Sequence, residues 1–180
     1  MKNKIKLIAI CFLLLIISTA CSLGNTPTSA VENLLAKYNN ADEEIVVELD
    51  DYVNSSSLTD EQNNKYKEVY LKQFKDMRYE IKEEMIDGDV ATVIAQITVY
   101  DYYKTEKNAN EYLTNNADEF KKDGEYDEGL FVDYKLGKLQ DVNDTVDYTI
   151  EFTLSRVENE WVVNELTNEQ LEKIHGVYEY

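Results

Sequence analysis

Proton-transfer chemistry needs an acid or base set beside hydrogen-bond donors, and the two meet in this sequence at Asp101, flanked by Tyr100, Tyr102 and Tyr103. Asp101 also continues the alternation of Ile97 and Val99, so on an extended strand its carboxyl group falls on their face. The competing expectation is that the strand has already left the core at Asp101. The single histidine, His175, could act as a general base, but next to Gly176 near the C-terminus it reads as a surface or helix-end residue. With one histidine and two cysteines, Cys11 and Cys21, nucleophilic triads and histidine-rich metal sites have too few parts. The acidic runs 123–128 and 141–144 carry the oxygen donors that calcium takes. They lack the glycine and terminal glutamate spacing of an EF-hand loop and read as solvated loops. Six scattered glycines form no phosphate-cradling pattern, so no metal and no cofactor is expected.

The composition bounds the partners. The net charge is −18, and the first twenty residues hold Lys2, Lys4 and Lys6 without an acid, so the remainder stands at −21. Nucleic acid is not expected as a partner, because binding it requires clustered cations to displace counterions. A surface this acidic is also repelled by anionic lipid headgroups. Regularly spaced Leu, Ile, Val, Tyr and Phe nevertheless supply the apolar surface that a fold requires.

The chain opens with the three lysines, runs through the uncharged stretch Leu7 to Ile17, and turns to small residues at Ser18-Thr19-Ala20. This is the three-part layout of a secretory signal, and its apolar run is too short for a permanent span. The junction Ile17-Ser18-Thr19-Ala20-Cys21 resembles the lipobox of bacterial lipoproteins, with Ser18 where a large aliphatic residue is usual. The resemblance implies that the Cys21 sulfur receives a diacylglyceryl group and that cleavage falls just before it. Residues 1–20 are then a signal peptide, 21–26 a lipidated tether and 27–180 a single domain. The expected location is the extracytoplasmic face of the membrane, held there through the acyl chains on Cys21. Ser22 to Thr26 can reach roughly 17 Å when extended, which keeps the domain close to the bilayer. With Cys11 discarded and Cys21 acylated, disulfides, cysteine-ligated zinc and thiol catalysis are excluded by counting.

The elements that would position any site follow from caps and periodicity. Thr26-Pro27 starts a helix carrying Val31, Leu34, Leu35 and Tyr38, which runs to about Asn39. A second helix is expected from Asp42 to Val53 with Ile45, Leu49, Tyr52 and Val53 on one face. A third, capped by Thr59-x-x-Gln62, has an inner stripe of Tyr66, Val69, Tyr70, Phe74 and Met77. The period then changes. Tyr79, Ile81 and Met85 lead to the hairpin signal Asp87-Gly88, and Val90 to Tyr103 continues as a long strand whose inner face is Ala91, Val93, Ala95, Ile97 and Val99. Residues 105–123 read as a helix ended by Gly124, and Leu130 to Val142 as another with Gly137 inside it. Val146, Tyr148, Ile150, Phe152 and Leu154 alternate with polar residues as a half-buried antiparallel strand. Glu158-Asn159-Glu160 turns that strand into a last one at Trp161-Val162-Val163, and Thr167-x-x-Gln170 caps a short final helix.

Helices first and hairpins after them mean an α+β domain, with N-terminal helices packed on a bent antiparallel sheet and a helical insertion between strands. Three segments carry a further likeness: Thr26-Pro27-x-x-Ala30-Val31, Asp87-Gly88-Asp89-x-Ala91-x-Val93 and Glu160-Trp161-x-Val163. With the element order they resemble the nuclear transport factor 2-like superfamily, and within it small bacterial lipoproteins. That resemblance implies a cone in which the sheet wraps a long helix. In catalytic members an acid inside the cone works with tyrosine donors to abstract and return a proton, a role that would fall to Asp101 with Tyr102. Three functions stand open: a non-catalytic module binding a small molecule, peptide or envelope partner; an isomerase or dehydratase type of enzyme using Asp101; and a structural subunit forming a homodimer through its exposed sheet face. Thr149, Glu151 and Thr153 make that face polar, which disfavours the last.

Overall fold

The computed structural model describes residues 25–54 and 58–180, so the signal segment and Cys21 lie outside the described residues. Three helices come first: α1 (Pro27–Asn40), α2 (Glu43–Asn54) and α3 (Asp60–Asp76). Thr26 and Thr59 each close a capping box at the start of α1 and α3, accepting from the N3 backbone while the N3 side chain answers the cap. Ala41, in the left-handed region at φ 50°, ends α1 and turns the chain into α2.

The sheet is built from two hairpins laid side by side. Strands β1 (Arg78–Asp87) and β2 (Val90–Tyr100) form the first, β5 (Thr145–Val157) and β6 (Glu160–Val163) the second, in the order β1-β2-β5-β6 with every neighbour antiparallel. The central ladder runs in unbroken register from Val90 opposite Ser155 to Tyr100 opposite Thr145. Both hairpin turns therefore lie at the same end of the sheet, and the Arg156 amide donates across to the Asp89 carbonyl at 2.8 Å. Ala91, Val93, Ala95, Ile97 and Val99 meet Tyr148, Ile150, Phe152 and Leu154 on one face, all buried. Helices α1 and α3 cover that face with Val31, Leu35, Val69 and Phe74, and α2 packs against α3 and adds Ile45 and Leu49 to the same core, giving the two-layer α+β domain expected from the element order. The opposite face of β5 shows Asp147, Thr149, Glu151 and Thr153 to solvent.

Three local expectations are corrected. β2 ends at Tyr100 rather than Tyr103, because Asp101 caps a helix, α4 (Tyr102–Asn115), accepting from the Lys104 amide at 3.0 Å. The β-favouring Tyr102 and Tyr103 are drawn into its first turn by tertiary packing, since Tyr102 is buried against Tyr70. The helix read over 105–123 stops at Asn115. A 3-10 turn at Ala117–Phe120 follows, and then a miniature hairpin, β3 (Lys121–Lys122) and β4 (Glu125–Tyr126). Asp123 and Gly124 are its two turn residues, both at positive φ, so Gly124 makes a hairpin rather than ending a helix. Third, a bulge at Lys82 shifts the register of β1 between Ile81 and Glu83. Ile86 then pairs with the buried Ala91, while Met85 opposes Thr92 on the solvent face and stands half exposed.

The insertion between β2 and β5 is completed by α5 (Glu128–Gln140), capped by Asp127. Phe120, Phe131 and Ala109 form a small second core there, with Tyr112 stacked on Tyr134. The last helix, α6 (Asn168–His175), runs beside the part of β5 that β6 leaves unpaired. Gln170 and Lys173 donate to the Glu151 and Thr149 carbonyls, which closes an open sheet edge with side chains.

Candidate functional site

A cleft of about 450 Å³ opens where α1, α2 and the segment joining β6 to α6 converge. Helical spacing puts Leu34 and Tyr38 of α1 and Ile45 and Leu49 of α2 on its walls. Its far side is made by Val163, Leu166 and Leu171, and Phe74 and His175 close the back. The joining segment is fixed by Asn164, whose amide donates to the Thr153 carbonyl at 2.9 Å and whose side chain bonds Ser155 Oγ and Thr153 Oγ1. The Thr167 capping box then starts α6 in a set direction. Around the apolar interior stand Glu44, Glu48 and Glu165, with Lys37 as the cation, bonded to Glu44 at 2.6 Å. Burial first, and then the nearby Glu48 and Glu44, pushes the Tyr38 phenol up to about 12, so it stays a neutral donor.

His175 is placed differently from its sequence expectation. It does end a helix, with Gly176 as the left-handed cap, but its ring is not a surface ornament. It lies 5.1 Å from the Tyr70 ring, 5.5 Å from Phe74 and 6.2 Å from Tyr52. Burial among these rings pushes the imidazole down to about 4, which keeps it neutral at pH 7. The cleft thus combines an apolar body, neutral aromatic and imidazole groups at its back, and a net negative rim. It can hold a compact apolar ligand that carries positive charge, since carboxylates and aromatic faces both attract a cation.

No protein-family model and no curated protein matches the chain. The chain is similar to a solved structure of a lipoprotein candidate from Bacillus subtilis, ycdA, at 13% identity with a TM-score of 0.46. The likeness covers 75% of this chain and 45% of that one, so this chain spans less than half of that protein's length.

A second cleft, of about 570 Å³, lies on the other side of Tyr52 and is lined by Val53, Tyr66, Tyr70, Glu106, Val132 and Lys135 among others. Tyr52 therefore divides the two clefts. Periodicity places it on the inner face of α2, yet it is 58% exposed, because the buried stripe of that helix passes through Ile45, Leu49 and Val53.

Asp101 is buried although β2 ends one residue before it, and a tyrosine hydroxyl does converge on it, but the tyrosine is Tyr180, at 2.6 Å from Oδ2. Its other oxygen caps α4. Tyr102 points away into the core, donating to the Val69 carbonyl at 2.9 Å. Asp101 lines neither cleft, and its contacts are those of a helix cap tied to the C-terminus. Replacing Asp101 with Leu should lower stability by about 2 kcal/mol, and replacing it with Asn, which caps nearly as well, by less than about 1 kcal/mol. Urea denaturation of the two variants checks this. Equal losses would show that the cap is not what Asp101 provides.

The acidic run 123–128, read as a solvated loop, takes structural roles, Asp123 in the miniature hairpin turn and Asp127 as the cap of α5. Among the described residues no group of three or more His, Cys, Asp or Glu side chains is arranged to hold a metal ion. No sequence signal marks the first cleft, because its lining comes from five separate elements and the β6–α6 segment, whose apolar residues all read as ordinary core.

Proposed function

We propose that this chain is a lipoprotein anchored through Cys21 on the extracytoplasmic face of a bacterial membrane, and that its domain binds a small apolar cation in the cleft between α1, α2 and the β6–α6 segment. The anchoring rests on the signal layout and the Ser18-Thr19-Ala20-Cys21 junction. The observation that carries the binding is the pairing of an apolar interior, closed by Phe74 and the neutral His175, with a rim holding Glu44, Glu48 and Glu165 against Lys37 alone. Helices lying over one face of an antiparallel sheet also suit the nuclear transport factor 2-like resemblance. Suitable ligands are an ammonium group on a short hydrocarbon or aromatic body, or a basic side chain of a partner peptide.

The test is native mass spectrometry of the protein purified from its own host, followed by titration with alkyl and aryl ammonium compounds. Mass that leaves on denaturation identifies a retained ligand. Glu48→Lys should weaken an ammonium ligand about tenfold, while Glu83→Lys on the far side of the sheet leaves it unchanged. Equal affinities in both variants and the parent would refute the site.

A further inference from the structure

The apolar side chains that remain exposed are not scattered. Half of the large ones among the described residues, namely Met85, Ile86, Val90, Val157 and Val162, sit beside the two adjacent hairpin turns, each close to half exposed. Register places four of them on one surface. Met85 opposes Thr92, Val90 opposes Ser155, Val162 opposes Ser155 from the other side, and Val157 continues that face of β5. The bulge at Lys82 is what turns Met85 outward to join them. Among the described residues no helix covers this surface, and isolated exposed apolar residues need no explanation, whereas several gathered on one face at one end of a sheet do.

The chain enters the domain at the same end. Asn25, the first described residue, donates from Nδ2 to the Asn159 carbonyl at 3.0 Å and accepts from the Trp161 amide at 2.9 Å, both in the β5–β6 hairpin. Three residues further on, the Thr28 amide donates to Glu84 of β1. The start of the domain is therefore stapled to the hairpin turns. Only Ser22, Leu23 and Gly24 separate Asn25 from Cys21, so the span between them cannot exceed roughly 14 Å.

We infer that the two hairpin turns form a membrane-docking surface, on which Met85, Val90, Val157 and Val162 enter the interfacial region of the bilayer beside the lipidated cysteine. The inference rests on the anchoring proposed above and extends it from a tether to a fixed orientation. Acyl chains on Cys21 hold the turns within reach of the bilayer at all times, so a few partly buried apolar side chains suffice to dock them. Asp87, opposite Val90, and Glu160, opposite Val157, stand on the same surface, with Asp89 and Glu158 in the adjoining turns, and these carboxylates direct it toward zwitterionic rather than anionic headgroups. β2 rises roughly 35 Å from Val90 to Tyr100, so α4 and its neighbours face away from the membrane.

The experiment uses the full chain, processed and acylated in a bacterial host and reconstituted on phosphatidylcholine vesicles. Because Cys21 is blocked by lipid and no other cysteine follows it, Val90→Cys or Lys107→Cys gives one labelling position each. Flotation reports the anchor, and quenching of an attached fluorophore by brominated phosphatidylcholine reports contact. The expected result is that both proteins float and the label at 90 loses roughly twofold more emission than the label at 107. Adding Met85→Asp and Val157→Asp to the Val90→Cys chain should preserve flotation and bring its quenching down to the level at 107. Flotation with equal quenching at both positions overturns docking while leaving the anchor intact, as does quenching at 90 that survives the aspartates. Failure to float overturns the anchor and, with it, the docking surface.

Discussion

Gly176→Ala should destabilise the domain by about 4 kcal/mol, lowering its melting temperature by about 12 °C. Gly176 sits at φ +75°, where a Cβ is strained, and the space a Cβ would need is already taken: Gln73 Nε2 would stand 2.2 Å away and the Tyr100 carbonyl oxygen 2.3 Å away. The crowding marks a polar junction in the middle of the core. Gln73 is fully buried on α3, donates to the Tyr100 and His175 carbonyls and accepts from the Tyr100 amide at 2.7 Å. The Gly176 carbonyl in turn accepts from the Tyr103 amide. One side chain thus joins the end of β2 to the end of α6, and an alanine must either displace it, orphaning three backbone groups, or push α6 off the sheet. Differential scanning calorimetry checks the loss. Gln73→Leu should cost a similar amount, and the double variant much less than the two together, since both break one junction. Additive losses would mean that the two residues act separately.

The second large effect is on pH. Lowering the pH from 7.5 to 5 should cost the parent protein about 2 kcal/mol that a His175→Phe variant does not lose. Burial holds the folded-state pKa of His175 near 4, below its ordinary value of 6.5. The unfolded chain therefore binds the proton more readily between those values. The contribution is complete above about 6.5 and disappears as the pH falls toward 4. Carboxylates elsewhere titrate in both proteins, so the difference between them isolates the imidazole. Phenylalanine keeps the ring contacts with Tyr70 and Phe74, and denaturant midpoints at the two pH values supply the measurement. Parallel curves would place the ring in water.

Order and type of most elements could be read from the chain because their signals are local. Capping boxes at Thr26, Thr59 and Thr167 start helices where expected, and strict alternation over 146–155 marks β5. The errors arise where a tertiary contact overrides a local preference. Tyr102 and Tyr103 favour strand, yet burial of Tyr102 against Tyr70 and the Asp101 cap make them helical. The bulge at Lys82 has no residue signature, so the outward turn of Met85 was invisible. Asp123-Gly124 carried the same dipeptide as Asp87-Gly88 and deserved the same expectation of a hairpin. The candidate cleft was less legible still. His175 gains its neutral, enclosed character from α2 and α3, more than a hundred residues away in sequence, and nothing beside it in the chain reports them.

The arrangement of the sheet also sets an order of assembly. Each hairpin closes over a turn of two residues, a step of microseconds, but the central ladder joins Tyr100 to Thr145 across the whole α4–α5 insertion. The loop entropy of that closure must be met before its hydrogen bonds return anything, so pairing of β2 with β5 is the slow event. Until then each hairpin presents an unpaired edge lined with Val, Ile and Phe, the kind of surface on which chains aggregate. Newly made chains are therefore at greatest hazard in the interval between hairpin formation and sheet closure, and the acidic insertion that delays closure also keeps neighbouring chains apart by repulsion.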